Sequence, residues 1–266
     1  MTTPGIIDPI HDYAVMTRPD PDSGKTAREL KSLLSRAGLK ENSEKPDCVI
    51  VVGGDGTFLR AVHRYMAQLK SLVFIGIHSG TLGFFMDYRD SDLDVFAADI
   101  IGGRLTAEEY PIMEARVGQD TWCAVNEIRV ENPLRTQDIT VMVNDEMFEE
   151  YRGSGLCISS QLGSTAYNRS LGGAVLQKGL HAFEMTEIAG IHHSRSRSLG
   201  APFVMSDSTR ISFVSDDFSG AVLGADSETV PLSGKGSVDI LKSPDKKLRI
   251  LRPRKVDYFE RLRRLF

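Results

Sequence analysis

Residues 48–57 read CVIVVGGDGT, an apolar run that passes directly into a glycine-rich turn. The first five residues are continuously apolar and mostly β-branched, which predicts a strand covered on both faces of a parallel sheet. A helix is expected to begin near Phe58, where apolar residues start to recur at helical spacing. The turn therefore lies at a helix amino terminus, where main-chain amides bind phosphates well.

The turn itself, Gly53 to Thr57, differs from two common nucleotide-binding motifs, because it has neither the G-x-G-x-x-G spacing nor a closing G-K-[ST]. Its glycines let a ligand approach the backbone closely. A carboxylate is electrostatically awkward in a phosphate cradle, so Asp55 requires an explanation. Orienting and deprotonating an attacking hydroxyl is one that suits phosphoryl transfer. Capping of the following helix is the structural alternative, and both roles can coexist.

The residues around the turn predict an α/β lobe. Tyr13 to Met16 is expected to form a first strand, and a helix is expected to follow, capped by Ser23 and ended by Gly38. Residues 72–77 read as another buried strand after the second helix. The order strand, helix, strand indicates a parallel α/β unit.

A second, β-rich lobe is predicted from about Leu105 onward, where short β-prone pieces alternate with turns, at residues 123–125, 139–143 and 156–158. Gly102 and Gly103 interrupt the helical region and set the boundary. The prediction is an α/β domain over residues 1–104 and a β-rich domain over residues 105–266. The tail from Arg252, which mixes basic and apolar residues, is interpreted either as an amphipathic interface helix or as a solvated segment folded back toward the first domain.

The overall composition is that of an ordinary globular protein, with 41% hydrophobic and 26% charged residues among 266. A formal net charge of −4 argues against a nucleic-acid partner. No apolar run approaches the roughly 20 residues of a membrane helix, and the amino terminus lacks a signal-peptide pattern, so no membrane association and a cytoplasmic location are predicted. Cys48, Cys123 and Cys157 are expected to be reduced core thiols.

Arg152 and a cluster of basic residues are candidates for binding anions. Arg152, just before a Gly-Ser-Gly turn, is a candidate for contacting a phosphate or carboxamide, with an ordinary surface arginine as the alternative. A dense cationic cluster is interpreted as a phosphate-binding site, a subunit contact or a solvated loop, and comprises His192, His193, Arg195 and Arg197. Asp226 is a minor candidate for a nucleotide or interface contact.

The turn GGDGT resembles the signature shared by NAD kinases and the related lipid kinases. Three further segments are similar to those of NAD kinases in particular and follow in the same order and spacing. Residues 78–84, HSGTLGF, resemble N-x-G-x-L-G-F, and Asn126-Glu127 matches an Asn-Glu pair. Residues 162–168, LGSTAYN, are close to the T-G-S-T-A-Y segment that holds the adenosine part of the substrate in that family.

The resemblance implies a role for each matching residue. Asp55 engages a ribose hydroxyl and acts as the base, with Gly54, Gly56 and Thr57 at the nucleotide. Asn126 and Glu127 bind the same ribose and phosphate region. The adenine side is wrapped by Thr165, Ala166, Tyr167, Asn168, Arg169 and Ser170. Hydroxyls and amides can pair with ring nitrogens, and a tyrosine offers a flat face for stacking.

The activity that the resemblance implies is transfer of a phosphoryl group from ATP, or from polyphosphate, to the 2′-hydroxyl of the adenosine ribose of NAD, giving NADP. NAD and ATP are the expected substrates, and NAD is expected to bind across the cleft of a two-domain NAD kinase-like fold. Mg²⁺ is expected to arrive with ATP, without a dedicated protein metal site and without a tightly bound cofactor. A homodimer or homotetramer is expected.

Two departures from the family pattern suggest a variant subgroup. Ser154 stands where the family generally has Asp, and residues 160–162, SQL, replace a usual Thr-Pro-Thr. Two alternatives therefore stay open, a non-catalytic dinucleotide-binding regulator and a lipid kinase of the same superfamily. Retention of Asp55 argues against the first, and the segment from Thr165 to Tyr167 argues against the second.

Overall fold

The computed structural model describes residues 9–79, 83–192, 198–253 and 258–263. The chain divides into two compact units. The first consists of Met1–Tyr110 with Lys246–Phe266, and the second of Pro111–Asp245. The boundary expected at residue 104 thus falls six residues later, and the carboxyl-terminal tail belongs to the first unit rather than to the second.

The first unit alternates strands and helices, as its apolar pattern predicts. In chain order these are β1 (Asp12–Thr17), α1 (Pro21–Arg36), β2 (Lys40–Glu41), β3 (Cys48–Gly53), α2 (Asp55–Arg64), β4 (Val73–His78), β5 (Met86–Arg89) and α3 (Leu93–Ile101). The strands predicted around Tyr13, Cys48 and residues 72–77 are confirmed.

A parallel sheet organises the first unit. Strand β3 lies between β1 and β4, with β2 beside β1 and β5 beside β4, and every one of these pairings is parallel. All residues of β3 and β4 are buried. Leu30 of α1 and Phe96 of α3 share a core with Ile50, whereas Phe58 of α2 packs against Phe74, with ring centroids 5.9 Å apart. Helices thus cover both faces, which explains the uninterrupted apolar run in β3.

Helix α1 begins and ends differently from the sequence prediction. Its cap is Asp20, whose carboxylate accepts a hydrogen bond from the Ser23 amide at 3.0 Å. Ser23 lies inside the helix, where its hydroxyl is buried and 2.6 Å from that of Ser79. The helix ends at Arg36, and Gly38 follows two residues later with a φ of 87°. The predicted cap at Ser23 is therefore wrong, because the helix begins at Pro21, whose fixed φ suits the first helical turn and leaves Asp20 in the cap position.

The second unit is built almost entirely of strands. The elements that follow in chain order are β6 (Leu105–Val117), β7 (Asp120–Ala124), β8 (Glu127–Glu131), β9 (Gln137–Val143), β10 (Glu146–Gly153), β11 (Gly155–Ser159), α4 (Tyr167–Ser170), β12 (Ala182–Ile188), β13 (Phe203–Ser206), β14 (Ile211–Ser215), β15 (Val222–Ala225), β16 (Glu228–Pro231) and β17 (Gly236–Pro253). The predicted β-rich composition is confirmed.

Two groups of antiparallel strands share the core of the second unit. One is a six-stranded sheet in the order β13, β12, β11, β8, β15, β16. The other places β9 between β10 and β14, with β14 paired to the first half of β17. Ile128 and Ile158 from the first group pack in one cluster with Val141 and Phe213 from the second. The alternation of apolar residues along each strand produces this arrangement.

The tail returns to the parallel sheet of the first unit. Ile250, near the end of β17, pairs in parallel with Phe74 of β4, and a short helix, α5 (Tyr258–Arg263), follows. Arg252 and Arg261 are only 1% and 2% exposed. The solvated-tail interpretation is therefore wrong for these two arginines.

Candidate active site

The glycine turn joins β3 to α2 directly. Gly54 is the cap residue and Asp55 the first residue of α2, so the helix begins three residues earlier than predicted. Among the described residues, no atom lies within 4 Å of a Cβ built on Gly54 or Gly56. Thr57 is buried, and its amide donates to the Gly54 carbonyl at 2.9 Å. The backbone of the turn thus presents an open face that a ligand can approach.

The Asp55 carboxylate is held by the main chain of a distant segment. Its two oxygens accept hydrogen bonds from the amides of Phe84, at 2.8 Å, and Phe85, at 3.0 Å. A Cβ built on Gly83 would collide with the same carboxylate, so only glycine fits there. The alternative that the Asp55 side chain caps its own helix is therefore wrong. Each oxygen accepts one N–H and retains capacity for a second hydrogen bond.

The environment of Asp55 raises the pKa of its carboxyl group. Burial is the largest cause, because a low-dielectric site disfavours the charged form. The hydrogen bonds from Phe85 and Phe84 and the guanidinium of Arg252 oppose the rise without cancelling it. The carboxylate is thus a stronger base than an exposed aspartate, and the backbone amides fix its position.

In the second unit, the Asn126-Glu127 pair is anchored by Asp226. The Asp226 carboxylate accepts hydrogen bonds from three successive amides, those of Val125, Asn126 and Glu127, at 2.8, 2.7 and 3.2 Å. Asp226 itself adopts a φ of 52° and is 5% exposed. It therefore holds the main chain of the pair, a role that its isolated position in the sequence did not indicate.

Both side chains of the pair present buried acceptor atoms. Oδ1 of Asn126 and Oε2 of Glu127 have no hydrogen-bond partner among the described residues. Burial raises the pKa of Glu127 to about 7, Asp226 adds to the rise, and Arg129, 3.7 Å away, opposes it. Buried polar atoms normally have partners, so these two are candidates for binding a ligand hydroxyl.

The segment that follows Ser160 is tied to the same pair. The Ser160 hydroxyl donates to the Val125 carbonyl at 2.6 Å and accepts from the amides of Leu162 and Gly163. A Cβ built on Gly163 would collide with the backbone of Asn126. The structure therefore brings the two predicted parts of the second unit together, and Ser160, noted only as a departure from the family pattern, makes the connection.

The predicted adenine-side residues differ in their exposure. Thr165, Ala166 and Tyr167 are half-buried, and the Arg129 guanidinium lies 5.5 Å from the centroid of the Tyr167 ring. Arg169 and Ser170 are exposed. Their contacts with a nucleotide stay predictions.

Asn168, by contrast, is fully buried within the protein. Its amide nitrogen donates to Glu184 at 2.8 Å, and its oxygen accepts from the Thr186 hydroxyl at 3.2 Å. The side chain therefore stabilises the segment from within, and the substrate contact predicted at this position stays a prediction.

Arg152 is engaged elsewhere in the second unit. Its guanidinium binds both carboxylate oxygens of Asp138, at 2.7 and 2.9 Å, and both side chains are largely exposed. The pair lines a cavity of about 760 Å³ bordered by residues 135–140, 150–152 and 214–217. In the basic cluster, His192 lies 3.2 Å from Glu187, and residues 193–197 lie outside the described residues.

Three broader expectations concern the cysteines, a metal site and a membrane helix. The cysteines, all three within the described residues, form no disulfide, and Cys48 and Cys157 are buried. Across the described residues, no three His, Cys, Asp or Glu side chains are grouped as metal ligands. No helix in the described part of the chain is both long and apolar enough to cross a membrane.

Two solved structures share this fold. The yeast NADH kinase, solved with NADH, matches with a TM-score of 0.85 at 17% identity and covers 96% of this chain and 87% of its own. An NAD kinase from Archaeoglobus fulgidus, solved with ATP, matches with a TM-score of 0.78 at 22% identity and covers 95% of this chain and 99% of its own. The fold is thus that of two-domain dinucleotide kinases, and the predicted fold class is confirmed.

Sequence comparisons then define the family. The ATP-NAD kinase N-terminal domain matches residues 6–105, and the ATP-NAD kinase C-terminal domain matches residues 126–252. The NAD kinase of Lactobacillus acidophilus is 41% identical over 208 residues, which are 76% of this chain and 78% of the relative. That of Enterococcus faecalis is 37% identical over 198 residues, 72% and 75% of the two chains. The chain belongs to the NAD kinase family.

Proposed function

We propose that this chain transfers a phosphoryl group from ATP to the 2′-hydroxyl of the adenosine ribose of NAD, producing NADP, with Asp55 as the base. The observation that carries the proposal is the Asp55 carboxylate, fixed by the Phe84 and Phe85 amides beside an open glycine turn. The relatives of this chain that are named NAD kinases support NAD as the substrate.

The chemistry requires a proton acceptor at the attacking hydroxyl. Asp55 accepts the 2′-hydroxyl proton as that oxygen forms a bond to the γ-phosphorus, and the bond from that phosphorus to the bridging oxygen breaks and leaves ADP. A raised pKa favours this role, because general-base catalysis is most efficient when the pKa approaches the working pH. Phosphoryl transfer otherwise depends mainly on positioning and on neutralising charge.

In the second unit, Asn126 and Glu127 are the proposed NAD-binding pair. Their buried oxygen atoms, which have no partner among the described residues, suit ribose hydroxyl donors. A Glu127 carboxyl group with a pKa of about 7 can also donate a hydrogen bond when protonated. The half-buried Tyr167 ring offers an apolar face to the adenine.

The donor and its metal complete the proposal. ATP is the proposed donor, with inorganic polyphosphate as the alternative. Mg²⁺ bound to the donor phosphates would neutralise their charge, and this cation commonly relies on substrate phosphates and one or two carboxylates rather than on a protein cage. We place the enzyme in the cytoplasm, where cysteines stay reduced, and propose that it assembles as a homodimer or homotetramer.

The test is NADP formation by the purified protein given NAD, ATP and Mg²⁺, with Asp55→Asn assayed alongside. We expect the wild type to produce NADP and the variant to turn over at least roughly 10²-fold more slowly, the lower scale for a positioned base. Binding of NAD without product, under varied donors and metals, would instead indicate a non-catalytic regulator. Phosphorylation of a diacylglycerol in place of NAD would indicate a lipid kinase.

A further inference from the structure

The position of the Asp55 carboxylate depends on two peptide groups, because its hydrogen-bond donors are the amides of Phe84 and Phe85. Phe85 is also held through its carbonyl, which belongs to the following peptide group. Nη1 of Arg252 donates to the Phe85 carbonyl at 3.2 Å and to Asp87 at 2.7 Å. One residue, Phe85, therefore connects the carboxylate of Asp55 to an arginine of the carboxyl-terminal tail.

A second tail arginine completes this buried cluster. Arg261 of α5 lies 3.5 Å from Asp87 and 3.7 Å from Glu108, and its guanidinium is 6.0 Å from the centroid of the Phe84 ring. Arg252 also approaches Glu108, at 3.5 Å. Two arginines thus face two carboxylates, so the cluster is formally neutral. Opposite charges at these distances offset part of the cost of burying each one.

The cluster is oriented toward the active-site segment rather than toward solvent. Phe84 receives Arg261 over its ring and Tyr258 at its edge, with ring centroids 6.5 Å apart. Tyr110 donates to Glu108 at 2.6 Å and limits the freedom of that carboxylate. Arg263, on the same short helix, is exposed. Among the described residues, Arg261 is thus the one of the two with a contact to the segment that holds Asp55.

We propose that Arg252 and Arg261 are positioning residues for the Asp55 base, so that the carboxyl-terminal tail sets the geometry of the reaction without touching the substrate. This inference rests on the proposed function. A small displacement of the peptides at residues 84 and 85 moves the carboxylate with them. Misplacing a reacting group by about 1 Å can lower turnover by about 10²-fold, even when the substituted residue lies away from the chemistry.

The test compares Arg261→Met with the matched control Arg263→Met on the same helix. We expect Arg261→Met to lower kcat about 10-fold while KM for NAD changes less than about twofold. A displaced base stabilises the transition state less and leaves substrate binding unchanged. Arg263→Met should match the wild type. Equal kinetics for the two variants would overturn the proposal.

A double-mutant cycle separates positioning of Asp55 from a general structural effect. In the Asp55→Asn background, Arg261→Met should cause no further loss of kcat, because the group that it positions is already disabled. The same 10-fold loss in that background would refute the proposal. If Arg261→Met does not fold, Arg261→Lys takes its place, because it keeps the charge without the planar fork. We expect Arg261→Lys to lower kcat about threefold when Asp55 is present and to have no effect on kcat in the Asp55→Asn background. An unchanged kcat for that variant would refute the proposal as well.

Amide hydrogen exchange gives a readout that is independent of turnover. Arg261→Met, or Arg261→Lys in its place, should reduce protection of the Phe84 and Phe85 amides relative to Arg263→Met. Unchanged protection would count against the proposal even in an active enzyme. If the wild type forms no NADP while the substitution still reduces this protection, the proposed function would be refuted and the structural connection would remain.

Discussion

Each unit contains a carboxylate that accepts successive main-chain amides, and the two differ in what remains free. Asp226 receives three amides, is 5% exposed and holds the turn that precedes β8. Asp55 receives two, is half-buried and follows Gly54, whose backbone faces open space. The same kind of interaction thus fastens the main chain in one unit and fixes a base in the other. The two carboxylates differ in the number of amides that they accept and in their exposure to solvent.

The largest effects should separate these two carboxylates. Asp55→Asn should lower turnover at least roughly 10²-fold with little change in unfolding free energy. Asp226→Asn should instead lower the unfolding free energy by about 2–3 kcal/mol, because an NH2 group replaces one acceptor oxygen and leaves at least one of the three buried amides without a partner. NADP assays and urea titrations of both variants measure this. If Asp226→Asn lost turnover while keeping its stability, the comparison would be wrong.

The third carboxylate, Glu127, sharpens the comparison through pH. Burial raises the pKa of Glu127 to about 7, above its usual value, so the folded state binds the proton more tightly than the unfolded chain does. The contribution of Glu127 to the free energy of unfolding is therefore fully present below its pKa in the unfolded chain, and it is lost as pH rises from about 4.5 to 7. Glu127→Gln, which cannot ionise, should remove this loss and be about 3 kcal/mol more stable than the wild type at pH 7.

The measurement for Glu127 is the unfolding free energy of both proteins between pH 4 and 8. A constant difference across this range would show that folding does not raise the pKa of Glu127.

The smallest effect concerns Gly83, which allows the close approach to Asp55. Gly83→Ala should displace the carboxylate and lower kcat about 10-fold, because the added methyl group occupies its place. Gly24→Ala, inside α1 and with its nearest neighbour 3.7 Å from the added Cβ, is the control and should keep full activity. Steady-state kinetics of both variants decide the matter. Equal activity would mean that Asp55 tolerates the displacement.

Sequence reasoning found the residues that are marked by local pattern. Asp55 and the Asn126-Glu127 pair follow from short motifs, and the alternation of strands and helices follows from apolar spacing. It misplaced the helix starts, because α1 begins at Pro21 with Asp20 as its cap and because α2 begins inside the glycine turn. Boundaries of this kind depend on competition between neighbouring caps.

The roles that sequence reasoning did not identify belong to residues whose partners lie far along the chain. Asp226 is about one hundred residues from the amides that it binds, and nothing in its immediate neighbours marks it. Ser160 was noted only as a departure from the family pattern, yet its hydroxyl ties the Asn126 region to the segment from Gly163. A buried, multiply bonded side chain cannot be identified from composition alone.

The amino-acid sequence by itself determined the parallel sheet, the glycine turn with its aspartate, the β-rich second unit and the family, because each is written in apolar period or in a short contiguous motif. Only the tertiary structure decided what holds Asp55. Its amide donors lie 29 and 30 residues away, and Arg252, which donates to the carbonyl of Phe85, lies 167 residues from it. Contacts over such separations arise from the packing of the whole unit, so local patterns do not encode them.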